Sequence, residues 1–312
     1  MNQKIKQLPI THDYVFKRVF SYEGNESVLK DLLEAILCIK IKKVVVQNPE
    51  IIKSSENDKI GILDIKVKLD DDTIIDIEMQ AKDEKNIMER STTYIGKMIA
   101  AQLQEGDPYT KLKKTIFIGI LNFNYIKRNS YHNIGKMKYE ETKPEEYVEM
   151  GYNQEEKIAS PFIEMHFIEI PKFIKKIKEN GNKMGNNKLE QWLYFLSGRE
   201  DMIKMAEKEN KEIKKANETL NRISLDPKER EIYESIVQAE FNQRISNQKF
   251  LEEGIAKGKA EGIKEGETKG KIEGKLEVAK QLIQKNIDIQ TIVEVTGIPK
   301  EEIQKLKEKS KK

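Results

Sequence analysis

The run Ile62-Leu63-Asp64-Ile65-Lys66-Val67-Lys68-Leu69, then Asp70-Asp71-Asp72, then Thr73-Ile74-Ile75-Asp76-Ile77-Glu78-Met79-Gln80 sets the centre of the fold. Each half alternates apolar and polar residues with period two, the pattern of a half-buried strand. Leu63, Ile65, Val67 and Leu69 point one way, and Asp64, Lys66 and Lys68 the other. In the second half Ile75, Ile77 and Met79 oppose Asp76, Glu78 and Gln80. If the three aspartates form the loop of a hairpin, Asp64 sits opposite Glu78 and Lys66 opposite Asp76 on one face. Facing side chains of an antiparallel pair have Cβ atoms ~5 Å apart. Two carboxylates that close repel unless something positive lies between them, and a divalent cation with oxygen ligands would serve. The plainer reading is that the polar face is simply the wet side of an amphipathic hairpin. Gln80 joins Glu78 on that face, so acid, base and amide groups stand together there.

Working outward, the flanks read as alternating helices and strands. Thr11–Tyr22 is expected to be a short helix with Thr11 as N-cap and Val15, Phe16, Val19 and Phe20 as its apolar stripe. Asp13 and Lys17 lie four apart on another face and suit a helix ion pair. Asn25 caps a second helix running through Cys38, and Ile41–Val46 reads as a strand. Past the hairpin, Asn86–Gln104 is helical, with Met88, Tyr94, Ile95, Met98, Ile99 and Leu103 as its core stripe. Arg90 and Tyr94 share a face of that helix. A helix behind the hairpin could offer both to a phosphate; alternatively Arg90 pairs with Glu84 or Glu89 and Tyr94 is core. Thr115–Phe123 is nearly all apolar, as a strand buried on both faces would be. Tyr131–Glu140 and Phe162–Ile170 are further strand candidates. Lys172–Lys178 and Leu189–Leu196 follow as short helices, with Trp192 as a core anchor.

From Met202 charges crowd and strands vanish. A long helical stretch runs to Glu252, broken at Asp226-Pro227. Gly254, Gly258, Gly262, Gly266, Gly270 and Gly274 follow at a constant spacing of four. On an α-helix each such step overshoots a full turn by about 40°, so the glycine line winds around the axis. Each helical glycine costs ~1 kcal/mol relative to alanine. The stretch is therefore a helix that is firm when paired with a second copy, or else a charged linker. Val278–Leu306 reads as helix, short helix, a turn at Thr296-Gly297-Ile298-Pro299, and helix. The expected segments are 1–200 for the body, 201–252 for the charged helices, 253–277 for the glycine repeat and 278–312 for a small helical tail.

Composition bounds the function classes. The 312 residues carry a net charge of +3 with 35% charged and 38% hydrophobic residues, so any basic surface for nucleic acid must be local. Cys38 is the only cysteine, which excludes a disulfide framework and a cysteine zinc site. His12, His132 and His166 are too scattered to suggest a histidine metal motif. The chain opens Met-Asn-Gln-Lys-Ile-Lys-Gln without an apolar signal segment, and no apolar run approaches the ~20 residues of a membrane span, so a cytoplasmic protein with no membrane partner is expected.

The order Asp64, hairpin, Glu78-x-Gln80 resembles the PD-(D/E)XK nuclease superfamily, and within it the Rpn branch of recombination-promoting nucleases and transposases, where Gln often stands in place of the motif's Lys. His12-Asp13-Tyr14-Val15-Phe16-Lys17, Arg90, Tyr94, Gly106-Asp107-Pro108-Tyr109 and Ile168-Glu169-Ile170-Pro171-Lys172-Phe173 carry the rest of the likeness, which runs from Leu8 to the C-terminal end. The resemblance implies an α/β fold, a restriction-endonuclease-like mixed sheet flanked by helices in the order α-β-β-β-α-β, with an α-helical C-terminal extension. It also implies a Mg²⁺-dependent (or Mn²⁺-dependent) DNA endonuclease. In that reading Asp64 and Glu78 hold the metal with the backbone carbonyl of Met79, and Gln80 completes the catalytic set. Glu34 and Lys17 are accessory candidates by the same analogy, beside Arg90 and Tyr94. A glutamine orients water but brings no positive charge, so a catalytically weak DNA-binding or interaction protein is the rival, and a strand-transfer enzyme a third reading. A homodimer through the glycine-repeat helix completes the expectation, since cutting both strands benefits from two sites about a two-fold axis.

Overall fold

The computed structural model describes residues 6–47, 65–138, 158–181, 185 and 187–309. Helices α1 (Asp13–Phe20) and α2 (Glu26–Leu37) precede strands β1 (Val44–Val46), β2 (Ile65–Leu69) and β3 (Ile74–Gln80). Helix α3 (Ile87–Ala100) leads to β4 (Thr115–Leu121), β5 (His132–Lys138) and β6 (Ile158–Glu169). Then come α4 (Ile170–Glu179), α5 (Lys188–Leu196), α6 (Glu200–Glu209), α7 (Lys211–Leu225) and α8 (Pro227–Gln284), with α9 (Ile289–Thr296) and α10 (Lys300–Lys309) at the end. The six strands form one sheet in the order β1-β2-β3-β4-β6-β5. β3, β4 and β6 run parallel at its centre, while β1-β2-β3 and β5-β6 are antiparallel. This mixed sheet flanked by helices is the α/β architecture expected.

The hairpin register is the expected one: Lys66 pairs with Asp76 and Ile65 with Ile77. Asp70-Asp71-Asp72 form the loop, with Asp72 at φ 65° and the Leu69 N–H donating to the Thr73 carbonyl at 3.0 Å. A three-residue loop ending in a left-handed residue is a common hairpin closure, and aspartate tolerates that conformation. Asp64, expected opposite Glu78, lies outside the described residues.

Apolar side chains alternate to the two faces and meet two different layers. Ile75, Ile77, Met79, Ile116, Ile118, Ile120 and Ile168 pack with α1, α2, α4, α5, α6 and α7. On the other face Phe117, Leu121 and Phe167 pack with Ile87, Ile95 and Met98 of α3. β4 is buried along its whole length, which suits an apolar run inside a parallel sheet. Trp192 is fully buried, 5.6 Å from the ring of Phe20.

Several local expectations are corrected. His12, not Thr11, caps α1; its Nδ1 accepts from the Tyr14 N–H at 3.3 Å. Asn25 precedes α2, but its side chain donates to the Val19 carbonyl at 2.8 Å and to Thr219 Oγ1 at 3.0 Å. That tertiary use displaces the local cap. Met88 is 41% exposed, and Ile87 takes the buried position at the start of α3, a shift of one residue in the stripe.

The chain divides into two compact units, Met1–Ile236 and Val237–Lys312. The first extends beyond 200 because α6 and α7 bury Met202, Ile203, Ile213, Leu220 and Ile223 in the main core. The break at Asp226-Pro227 is a cap. Asp226 Oδ1 accepts from the Lys228 N–H at 2.8 Å, and Pro227 opens α8 where no intrahelical donor is needed. In the second unit Ala279, Ile283, Ile292, Ile298 and Ile303 form a small core, with Gly297 at φ 66° ending α9.

Candidate active site

β3 carries the decisive feature. Its polar face is not wet: Asp76 is 0% exposed, and Glu78 and Gln80 are each 5% exposed. Residues two apart on a strand share a face. Asp76, Glu78 and Gln80 pair in register with Phe117, Gly119 and Leu121 of β4, two of which bury against α3. This is the face that α3 covers. Burial of three consecutive polar side chains on one strand face is costly unless each is compensated. An ordinary amphipathic hairpin would leave them in water.

α3 supplies part of the compensation. Arg90 Nη2 donates to Glu78 Oε1 and lies 3.4 Å from the Tyr94 hydroxyl oxygen, while Nη1 donates to Glu84 Oε2 at 3.1 Å. Gln80 Nε2 donates to the same Glu78 Oε1 at 3.3 Å. Burial is the largest influence and works against the Arg90 charge, but Glu78, Tyr94 and Glu84 together outweigh it and hold the guanidinium pKa above its ordinary value. Its Cζ stands 5.8 Å from the Tyr94 ring centroid, and that ring leans on Phe117 at 6.4 Å. Arg90 does pair with Glu84, as the plainer alternative has it, and it also reaches Glu78 on the strand.

Gly119 is the β4 partner of Glu78. A Cβ there would lie 3.1 Å from Phe117 Cε1 and 3.4 Å from Phe167 Cδ1, so the aromatic rings close over the glycine. The bare position keeps the wall beside Glu78 flat.

Lys17 on α1 is 1% exposed, and α1 packs on β3. A lysine is almost never buried without compensation. The helix that buries it rests on the strand that carries two buried carboxylates. Glu34 is engaged elsewhere. Its Oε1 accepts from the Ile41 N–H at 3.0 Å and its Oε2 meets Lys188 Nζ at 3.3 Å. Burial opposes the Glu34 charge, yet these two donors hold its carboxyl below the usual range.

Three arrangements were not legible in the sequence. Tyr14 Oη and Arg18 Nε on α1 donate to Glu229 Oε2 at 2.6 and 3.0 Å, tying α1 to the first turn of α8. Glu169, quoted above only as part of a flanking run, is fully buried and accepts from the Tyr125 and Ile126 N–H groups at 2.5 and 3.1 Å. Two of the three scattered histidines meet: His132 Nε2 lies 2.9 Å from His166 Nδ1, and His166 Nε2 lies 3.1 Å from Glu164 Oε1. β5 and β6 are 20 or more residues apart in sequence but pair in the sheet, which brings the two rings together.

A hard divalent cation such as Mg²⁺ prefers oxygen donors. The Glu78 carboxylate, the Gln80 carboxamide oxygen and the Asp76 carboxylate on one strand face supply donors of that kind. Among the described residues no three of His, Cys, Asp and Glu gather closely enough to hold a metal ion.

Against known proteins, a family model described as PD-(D/E)XK nuclease family transposase matches residues 10–249. No curated protein and no solved structure matches the chain. The matched stretch takes in α1, the whole sheet, α3 and the buried face of β3. The chain therefore belongs to the PD-(D/E)XK nuclease family transposases.

Proposed function

We propose that this protein is a divalent-metal-dependent endonuclease acting on DNA, with its reaction centre on the α3-covered face of β3. The observation that carries this reading is the burial of Asp76, Glu78 and Gln80 beside Arg90. Family membership supports a nuclease-type function.

Glu78 would hold the metal through its carboxylate, with the Met79 carbonyl and Asp64 as the further ligands of this reading. A Mg²⁺ ion held there would supply Lewis-acid chemistry for activating water and for offsetting charge on the scissile phosphate. Gln80 holds Glu78 through its Nε2 and can orient a water through its Oε1, but it adds no positive charge. Arg90 and Tyr94 meet the phosphate from α3, the first by charge and the second by its hydroxyl. Lys17 offsets the negative charge of the site from the α1 side.

The missing positive charge at Gln80 favours one second reading, a slow or inactive nuclease fold used to bind DNA. Incubating the purified protein with supercoiled plasmid, with and without Mg²⁺, separates the two. Nicked or linear product only with Mg²⁺ supports the enzyme; unaltered plasmid with a gel shift supports the scaffold.

We further propose that two copies pair through the glycine repeat. All six glycines lie in α8, and a Cβ at any of them would have open space. No helix among the described residues is long and apolar enough to cross a membrane. We also infer a cytoplasmic role in recombination or with mobile elements, for which the word transposase in the family description is the support.

A further inference from the structure

We propose that Arg90 is a latch on Glu78, exchanged onto a phosphate of the nucleic acid when the site loads its cation. The inference rests on reading Glu78 as a cation ligand. Its geometry is specific. Glu78 Oε1 accepts from Arg90 Nη2 and, at 3.3 Å, from Gln80 Nε2. A guanidinium and a divalent cation are both positive and compete for the same oxygen.

Arg90 is built to let go. Nε and Nη2 form one edge of the guanidinium, the edge that grips an oxyanion with two parallel hydrogen bonds. Here only Nη2 of that edge is used on Glu78, and the buried Nε–H finds no acceptor among the described residues. The grip on Glu78 is therefore half of what the guanidinium can make, and a tetrahedral phosphate can satisfy both donors. Leaving Glu78 does not strand the charge either. Nη1 keeps Glu84, which is 59% exposed at its side chain, and the Tyr94 hydroxyl stays within 3.4 Å of Nη2. The Arg90 side chain is 30% exposed, so it has a path toward solvent.

The consequence is coupling. Phosphate bound to Arg90 frees Glu78 Oε1, and a cation on Glu78 frees Arg90, so each ligand favours the other by the same factor. The latch keeps the cation weakly held until a nucleic-acid backbone arrives.

Mn²⁺ binding to the full chain, followed by titration calorimetry, tests this. Arg90→Met and Arg90→Gln should bind Mn²⁺ more tightly than the parent, on the order of tenfold. Arg90→Lys keeps the competing charge and should stay near the parent. In EDTA, fluorescence anisotropy with a labelled DNA duplex should show weaker binding for Arg90→Gln. Two neutral variants that bind Mn²⁺ no better than the parent would overturn the latch, as would Arg90→Lys gaining as much as they do. Unchanged duplex affinity in Arg90→Gln would remove the phosphate exchange. If Glu78→Gln leaves Mn²⁺ binding intact, Glu78 is not the ligand and both the latch and the proposed centre fall together.

Discussion

At the scale of single residues, the account turns on Glu78 and Gln80. Glu78→Gln keeps an acceptor for Arg90 but loses the charge, so plasmid nicking should disappear while the melting temperature moves little. Glu78→Ala removes an acceptor from a half-buried guanidinium and should cost about 1–3 kcal/mol as well as activity. Two mutually repelling acids would have given the opposite sign, a protein unharmed or stabilised. Chemical unfolding of the two variants side by side separates these cases. Gln80→Lys should keep or raise the nicking rate, because a positive charge there favours the developing oxyanion. Gln80→Ala should lower it, and an alanine variant equal to the parent would reduce Gln80 to a packed strand residue. The alternation of Ile and Asp/Glu made these positions legible, since strand period depends on the sequence alone. Arg90 on Glu78 was not legible, because it depends on how α3 settles over β3 rather than on either segment.

At the scale of elements, the sheet holds two features that only strand pairing creates. The first is the His132–His166–Glu164 chain joining β5 to β6, with Lys114 and Lys136 at Glu164 at 2.5 and 3.4 Å. Burial and then the neighbouring His132 push the His166 pKa down from 6.5 to about 4, and burial lowers that of His132. Unfolding lets these rings take up protons that the folded chain refuses. Stability is therefore full above the ordinary histidine value of 6.5 and declines as pH falls from there toward about 4. The His166 shift corresponds to a loss on the order of 3 kcal/mol across that window. Burial is the largest influence and opposes the Glu164 charge, but Lys114, His166 and Lys136 together hold its carboxyl below the usual 4.5, which adds a further loss in more acid solution. Melting curves from pH 7.5 to 5 should fall more steeply for the parent than for His166→Gln; parallel curves would show that the pair does not govern acid sensitivity. The second feature is Gly119 under the rings of Phe117 and Phe167. Gly119→Ala must push those rings aside and should cost about 1–3 kcal/mol, read as a lower denaturant midpoint. The apolar run of β4 announced a buried strand, but the sequence could not say that its glycine sits against Glu78.

At the scale of the whole molecule, the segment order and the sheet-plus-helices architecture were readable, because period-two and helical patterns punctuated by turn residues are local signals. The limit of the main body was not. The charged exteriors of α6 and α7 read as a solvated extension, while their thinner apolar stripes close the core. The proposed self-association rests on the glycine repeat. Six helical glycines weaken α8 by roughly 1 kcal/mol each, which close packing of a second copy would offset. Sedimentation should show the full chain as a dimer and a chain ending at Glu252 as a monomer or weaker dimer; equal association would place any contact in the nuclease body. The most direct test of the central claim is a single comparison. Supercoiled plasmid is incubated with equally folded parent and Glu78→Gln protein, each with Mg²⁺ and with EDTA. The account predicts nicking by the parent with Mg²⁺ alone and none by Glu78→Gln. Equal nicking by the two proteins would contradict it.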